Sequence, residues 1–269
     1  MTAKTIIFLH IPKTGGRSLQ HILLRKYSGD EVVVDAHNKL DEIADWPEER
    51  KRNIRYLQGH FFYGAHRILS QECRYVTILR EPVDRVISHY YFIRRNSSHP
   101  LNRVVLEQGI GLEDYVTSGV CDEVSNDQAR LIAGVKRDAS IDTNDMLRMA
   151  KENIDKDFMV VGIVEKFDET LMLLKRELGL RNVFYGIRNQ TIGRPLKEQI
   201  PERTLSIICE RNSADIALYD YARDRLANVI EREGASFSNS LKRFRLINRP
   251  YSDVFYLMRN MKNKIISYR

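Results

Sequence analysis

The sequence predicts an α/β fold, with a mostly parallel sheet covered by helices and a helical extension at the C-terminal end. Three observations carry this reading. Short β-rich apolar runs alternate with segments of helical periodicity through the first two-thirds of the chain. The runs are continuously apolar, as in strands buried on both faces. Beyond them, residues 201–233 are helical in pattern, with Pro201 suited to an early helical position.

Taken in order, strands are expected at Thr5–His10, Glu31–Asp35, Ile54–Leu57, Tyr75–Leu79 and Phe158–Ile163. Helices are expected at Ser18–Tyr27, Val83–Arg95, Asn126–Ile132, Thr143–Asn153 and Lys166–Leu178. No internal repeat or low-complexity linker divides the chain. One domain over residues 1–241 is expected, followed by a basic amphipathic helical tail over 242–269.

With 269 residues, 43% hydrophobic and 29% charged, the chain has the composition of a soluble globular protein with a sizeable core. Its apolar runs are far shorter than the roughly 20 residues that span a bilayer. The first residues lack the layout of a signal peptide. Three cysteines without paired spacing read as reduced thiols. A cytoplasmic setting, bacterial in type, is the expectation. The net charge of +7 is uneven: Lys242–Arg269 holds eight Lys/Arg and one Asp, so the remainder is neutral. A bulk argument for nucleic-acid binding therefore fails, and no nucleic-acid partner is expected.

The stretch IIFLHIPKTGGRSLQ, from Ile6, runs from a strand through a glycine turn into a helix. Such a helix start has backbone N–H groups without intrahelical partners and a partial positive charge, which suits an anion. Gly15 and Gly16 permit close backbone approach, and Lys13 adds a mobile cation. A simple connecting turn is the bland alternative. The triphosphate-binding pattern GxxxxGK[ST] is absent, because Lys13 precedes the glycines.

A second stretch, YVTILREPVDRVISHYYFIRR, puts Arg80 at the carboxyl end of a strand and begins a helix near Pro82. Ligands of open α/β sheets bind outside those strand ends. Arg80 and Ser88 are thus expected to converge with Lys13 on a ligand carrying two separated anionic groups. A surface salt bridge from Arg80 to Glu81 or Asp84 is the competing reading.

These two stretches, HIPKTGGRS and LREPVDRVISHYY, resemble the 5′-phosphosulfate loop and 3′-phosphate motif of sulfotransferases. The resemblance is to the carbohydrate branch that includes heparan-sulfate 2-O-sulfotransferases. It continues in order through QGHFFYG, SNDQARLIAG, VGIVEKFDETLMLLKRELGL, NQTIGRP and NSADIALYDYA. It implies a P-loop-NTPase-like three-layer α/β fold. It also implies 3′-phosphoadenosine 5′-phosphosulfate (PAPS) as sulfuryl donor, giving the bisphosphate PAP, and no metal. Lys13, Thr14, Gly15, Gly16, Arg17 and Ser18 would then hold the 5′-phosphosulfate, Arg80 and Ser88 the 3′-phosphate, and Thr191 and Arg194 the loop over the nucleotide. Arg17 departs from the family, which usually has Thr there.

The expected reaction is transfer to a hydroxyl of a carbohydrate or glycolipid, and this needs a general base. Of seven histidines, His60 is chosen, immediately after a strand end in LQGHFFYG and at a place resembling the base of the 2-O-sulfotransferase branch. A loop histidine bonded to backbone is the alternative, with His37 and His89 as further candidate bases. His10 is expected to end its strand structurally. Lys13 would stabilise or protonate the leaving oxygen. In SNDQAR, Asn126 and Arg130 lie four apart, with Gln128 between, and Arg130 is taken as a substrate contact. An N-capped helix with a solvated polar face is the rival there.

Two other function classes stay in view. A P-loop kinase or NTPase could use EVVVD as its metal-binding strand, and magnesium dependence separates it. A non-catalytic polyanion-binding module would rest on the tail. For that tail, packing on the domain, a peripheral membrane contact and a basic wall for an acidic ligand are the three readings.

Overall fold

The computed structural model describes residues 4–186 and 194–267, with side chains described at all of these except 38 and 256–267. Its centre is a five-stranded sheet in the order β2-β3-β1-β4-β5. The strands are β1 (Thr5–Leu9), β2 (Val32–Val33), β3 (Tyr56–Gly59), β4 (Cys73–Leu79) and β5 (Phe158–Ile163). Every pairing is parallel. The expected α/β class is what the chain adopts. All five side chains of β1 are buried, as its continuous apolar run requires in the middle of a sheet.

The helices are α1 (Gly16–Leu23), α2 (Leu40–Ala44), α3 (Glu48–Asn53), α4 (Pro82–Arg95), α5 (Asn102–Glu107), α6 (Leu112–Thr117), α7 (Asp127–Ala133), α8 (Thr143–Asp157), α9 (Phe167–Leu178), α10 (Glu202–Arg211) and α11 (Ser213–Ser267). The main core joins the sheet to α1, α8, α9 and α11. A second cluster lies among α4, α5, α6 and α10, around Val86, Tyr90, Tyr115 and Ile208.

Several elements differ from expectation for local reasons. The edge strand β2 keeps only two residues, because Gly29–Glu31 forms a 3-10 turn and Asp35 is left-handed at φ 53°. It pairs with β3 alone, so Asp35 is separated from the loop after β1 by a whole strand. The third strand begins at Tyr56, since Ile54 ends α3. Short helices α2, α3, α5 and α6 escaped the periodicity reading; each has at most six residues.

The helical pattern 201–233 is two helices. Asn212 breaks it: its amide donates to the Val124 and Ile208 carbonyls, while its Oδ1 accepts from Asn126 N–H. The long α11 is interrupted at Gly234, with φ 66° and ψ −157°. It then runs through the 241/242 junction, with Leu241, Phe244 and Asn248 buried against the domain. Arg245 pairs with Asp168 and Glu169 on α9.

Candidate active site

The strand order puts the ends of β3, β1 and β4 side by side, and each end carries one expected functional residue. Leu9 is paired with Gly59, so His10 and His60 follow at neighbouring strand ends. His10 N–H donates to the Gly59 carbonyl at 3.0 Å. From the other side, Arg80 follows β4 and donates from Nη1 to the Lys13 carbonyl at 3.2 Å.

The loop after β1 is held in a specific shape. Lys13 has φ 69° and Gly15 φ 74°, a region costly for side-chain-bearing residues and easy for glycine. Thr14 is buried and donates from Oγ1 to the Ile11 carbonyl at 2.9 Å, so its side chain shapes the turn. Gly15 caps α1, and Gly16 is its first residue. A Cβ on Gly16 would lie 2.1 Å from Cδ2 and Nε2 of His10, so the glycine is required by packing. Ser18 N–H donates to the Gly15 carbonyl at 3.1 Å. Arg17 is exposed on the first turn of α1.

Helix α4 supplies the opposite wall. Glu81 caps it, accepting from Val83 and Asp84 N–H, and Pro82 fills the first helical position. Asp84, Ser88 and Phe92 recur at four-residue spacing on one side of the helix. Asp84 faces two guanidiniums, Arg80 Nη2 at 3.4 Å and Arg194 Nη2 at 3.2 Å. Arg194 Nη1 also donates to the Asp84 carbonyl at 3.1 Å. Ser88 is buried, and one turn on, Lys13 Nζ lies 3.8 Å from the centre of the Phe92 ring. The salt bridge from Arg80 to Asp84 does exist, but within this cluster, with both side chains mostly covered.

The electrostatics suit an anion. Burial, and then the charges of Arg80, Arg95 and Arg17, brings the Lys13 ammonium down to about 8. Burial also pulls Arg80 below its ordinary value, with Asp84 opposing and Arg194 adding to the shift. The Arg80 Nε is buried without a hydrogen-bond partner. An incoming anion with two separated charges would relieve Lys13 and reach an unsatisfied donor, so these residues fit PAPS.

His60 is exposed, and its Nδ1 donates to the His10 carbonyl at 2.5 Å. That bond places the proton on Nδ1 and leaves Nε2 with a free lone pair. Desolvation lowers the His60 pKa below 6.5 against the raising effect of the His10 carbonyl. The ring of His10 lies 4.4 Å from that of His60, centre to centre. Gln58 Nε2 donates to His10 Nδ1 at 3.1 Å, and burial holds His10 neutral with a pKa of about 3. His10 is thus the structural residue expected.

His37 is exposed, its ring 6.3 Å from that of His60. His89 is buried, with Nε2 3.1 Å from Glu123 and Nδ1 2.8 Å from the Tyr115 hydroxyl. Burial opposes its charge, yet Cys121 and Glu123 raise its pKa, an environment for an imidazolium more than for a base.

SNDQAR is not a solvated face. Asn126 Oδ1 accepts from Ala214 and Asp215 N–H at the start of α11, and Gln128 is fully buried. Both amide atoms of Gln128 bind the Arg80 backbone. Arg130 donates from Nη1 to the carbonyls of Lys136 and Ala139. Thr191 lies outside the described residues.

A profile of the sulfotransferase family matches residues 2–222. The chain belongs to the sulfotransferase family. Among its relatives, the human uronyl 2-sulfotransferase is 23% identical, over 82% of this chain and 62% of its own length. The heparan sulfate 2-O-sulfotransferase hst-2 of Caenorhabditis elegans is 25% identical, over 77% of this chain and 72% of its own. The chain thus spans less than two-thirds of the human relative's length. The crystal structure of mouse sulfotransferase SULT7A1 complexed with PAP aligns with 14% identity and a TM-score of 0.41, over 78% of this chain and 64% of that one.

Proposed function

We propose that this sulfotransferase transfers a sulfuryl group from PAPS to a hydroxyl of a carbohydrate acceptor. The observation that supports it best is the convergence of His60, Lys13 and Arg80 at the ends of three adjacent strands, with Arg80 bonded to the Lys13 carbonyl. The site's excess of cations over carboxylates favours a donor with two anionic groups, and the names of the uronyl and heparan sulfate relatives favour a sugar hydroxyl.

In this reading the loop Lys13–Ser18 and the start of α1 bind the 5′ end of PAPS, while Arg80, Ser88 and Arg194 bind its 3′-phosphate. PAPS supplies the sulfuryl group. Lys13 Nζ stabilises charge on the leaving oxygen, and Nε2 of His60 accepts the acceptor hydroxyl proton. The His10 carbonyl fixes the His60 tautomer. Arg130 is retained as an acceptor contact. The kinase reading gains nothing from Asp35, which lies beyond β3 from the loop.

Calorimetry with PAP, 5′-AMP and ATP–magnesium tests the donor site. PAP should bind tightest, and Arg80→Ala should weaken PAP by about 10–100-fold, the value of a charge-assisted bond or two, with little change for 5′-AMP. Tighter binding of ATP–magnesium would sink the proposal. Transfer of labelled sulfate from PAPS to a uronate-containing polysaccharide, lowered by about 10²–10⁴-fold in His60→Ala, tests the acceptor class.

A further inference from the structure

The final helical stretch of α11 presents two different faces. Leu241, Phe244 and Asn248, at spacings of three and four, are buried against the domain. The rest of the helix surface carries Leu246 at 77% exposure, Ile247 at 55% and Val254 at 55%, while the ring of Tyr251 lies against Phe184 on the domain side, 5.9 Å between centres. A lone exposed leucine is ordinary, but three large aliphatic side chains exposed within nine residues form a patch. Lys242, Arg243 and Arg249 are exposed beside it. The chain's whole excess of positive charge, +7, lies from Lys242 onward.

From this arrangement we infer that the outer face of α11 is a docking surface for an anionic lipid bilayer, lying in the plane of the headgroups. A second copy of the chain would cover the apolar side chains, but a self-complementary contact here brings two cationic segments together. A soluble polyanion would meet the charges and leave Leu246, Ile247 and Val254 in water. An anionic bilayer satisfies both features, with acyl chains for the apolar residues and headgroups for the cations. No helix among the described residues is long and apolar enough to cross a membrane. The same helix packs on the domain through its inner face, so docking would bring the catalytic domain to the lipid surface.

Co-sedimentation of the full chain with vesicles tests this. One set is phosphatidylcholine alone, and the other is phosphatidylcholine and phosphatidylglycerol in equal parts. The chain should partition onto the mixed vesicles and weaken with added salt. Leu246→Ser/Ile247→Ser should lower that partition at least about tenfold, the loss of two inserted side chains, and Lys242→Glu/Arg249→Glu should lower it as well. Unchanged melting curves establish that the variants fold, as expected for exposed positions. Binding equally to both vesicle sets, or to neither, overturns the inference. So does a dimer in light scattering that Leu246→Ser/Ile247→Ser dissociates, or retention on a sulfated polysaccharide resin without vesicle binding.

Discussion

Gln128 holds the backbone of Arg80 by both atoms of its side-chain amide: Arg80 N–H donates to Oε1 at 3.0 Å, and Nε2 donates to the Arg80 carbonyl at 2.9 Å. The amide is itself fixed, because Asp215 accepts from the backbone N–H groups of Gln128 and Ala129. The place of Arg80 at the end of β4 is thus set from α7 and α11. Gln128→Leu leaves two backbone groups of Arg80 unpaired. It should cost about 1–3 kcal/mol in urea unfolding and weaken PAP more than 5′-AMP, because Arg80 serves the 3′ group in the proposed mode. Equal weakening of both ligands would mean that Gln128 supports the fold alone.

Lys13 gives the site a pH signature. Its free-state pKa of about 8 arises from burial and from Arg80, Arg95 and Arg17. A bound anion favours the ammonium and raises that value. Binding PAP above the free-state value should therefore take up a proton, and affinity should fall as pH rises through about 8. Calorimetry in buffers of different ionisation heat measures the uptake directly. Lys13→Arg, always charged, should bind without this dependence. A pH-independent affinity in the parent protein would remove Lys13 from contact with the anion.

Adjacent glycines in the loop should respond differently. Gly15 has φ 74° with open space where a Cβ would stand. Gly15→Ala should therefore cost only the backbone strain, about 1–2 kcal/mol. At Gly16 the added carbon would meet the His10 ring at 2.1 Å. Gly16→Ala should cost about 2–3 kcal/mol through overpacking, and turnover should fall too, because His10 carries the carbonyl that orients His60. Urea titration and turnover on both variants decide it. Equal effects at the two positions would contradict the packing argument.

What could be read from the sequence was what depends on neighbours. The loop at Lys13 is one strand, one turn and one helix start, all within a short stretch. Arg80 stood out because Pro82 marks a helix start directly after an apolar run. The partners of these residues could not be read: Gln128 is 48 positions from Arg80, and Arg194 is 110 from the Asp84 it meets. The polar side chains of SNDQAR look solvated in one dimension, yet Asn126 and Gln128 act as internal ties between α7, β4 and α11. Asn212 is a residue type that often bounds helices, but the helical pattern runs on through both sides of it; what divides α10 from α11 is its pair of bonds to the Val124 and Ile208 carbonyls, the first a tertiary contact. His60 was legible by position, whereas its tautomer required the His10 carbonyl from a neighbouring strand end.

That tautomer leads to the last prediction. With Nδ1 donating to the His10 carbonyl, Nε2 is the atom available to take a proton. Desolvation keeps the His60 pKa below 6.5, so the neutral form dominates at neutral pH. A base works when deprotonated, so kcat/KM should rise with pH along an acid limb lying below 6.5 and then level off. His60→Ala should lower kcat by about 10²–10⁴-fold while PAP affinity stays near that of the parent, because the nucleotide is held by the Lys13 loop and Arg80. The limb itself should vanish in the variant's residual activity. An acid limb that persists in His60→Ala would assign the titration elsewhere, with His37, its ring 6.3 Å away, the next residue to replace.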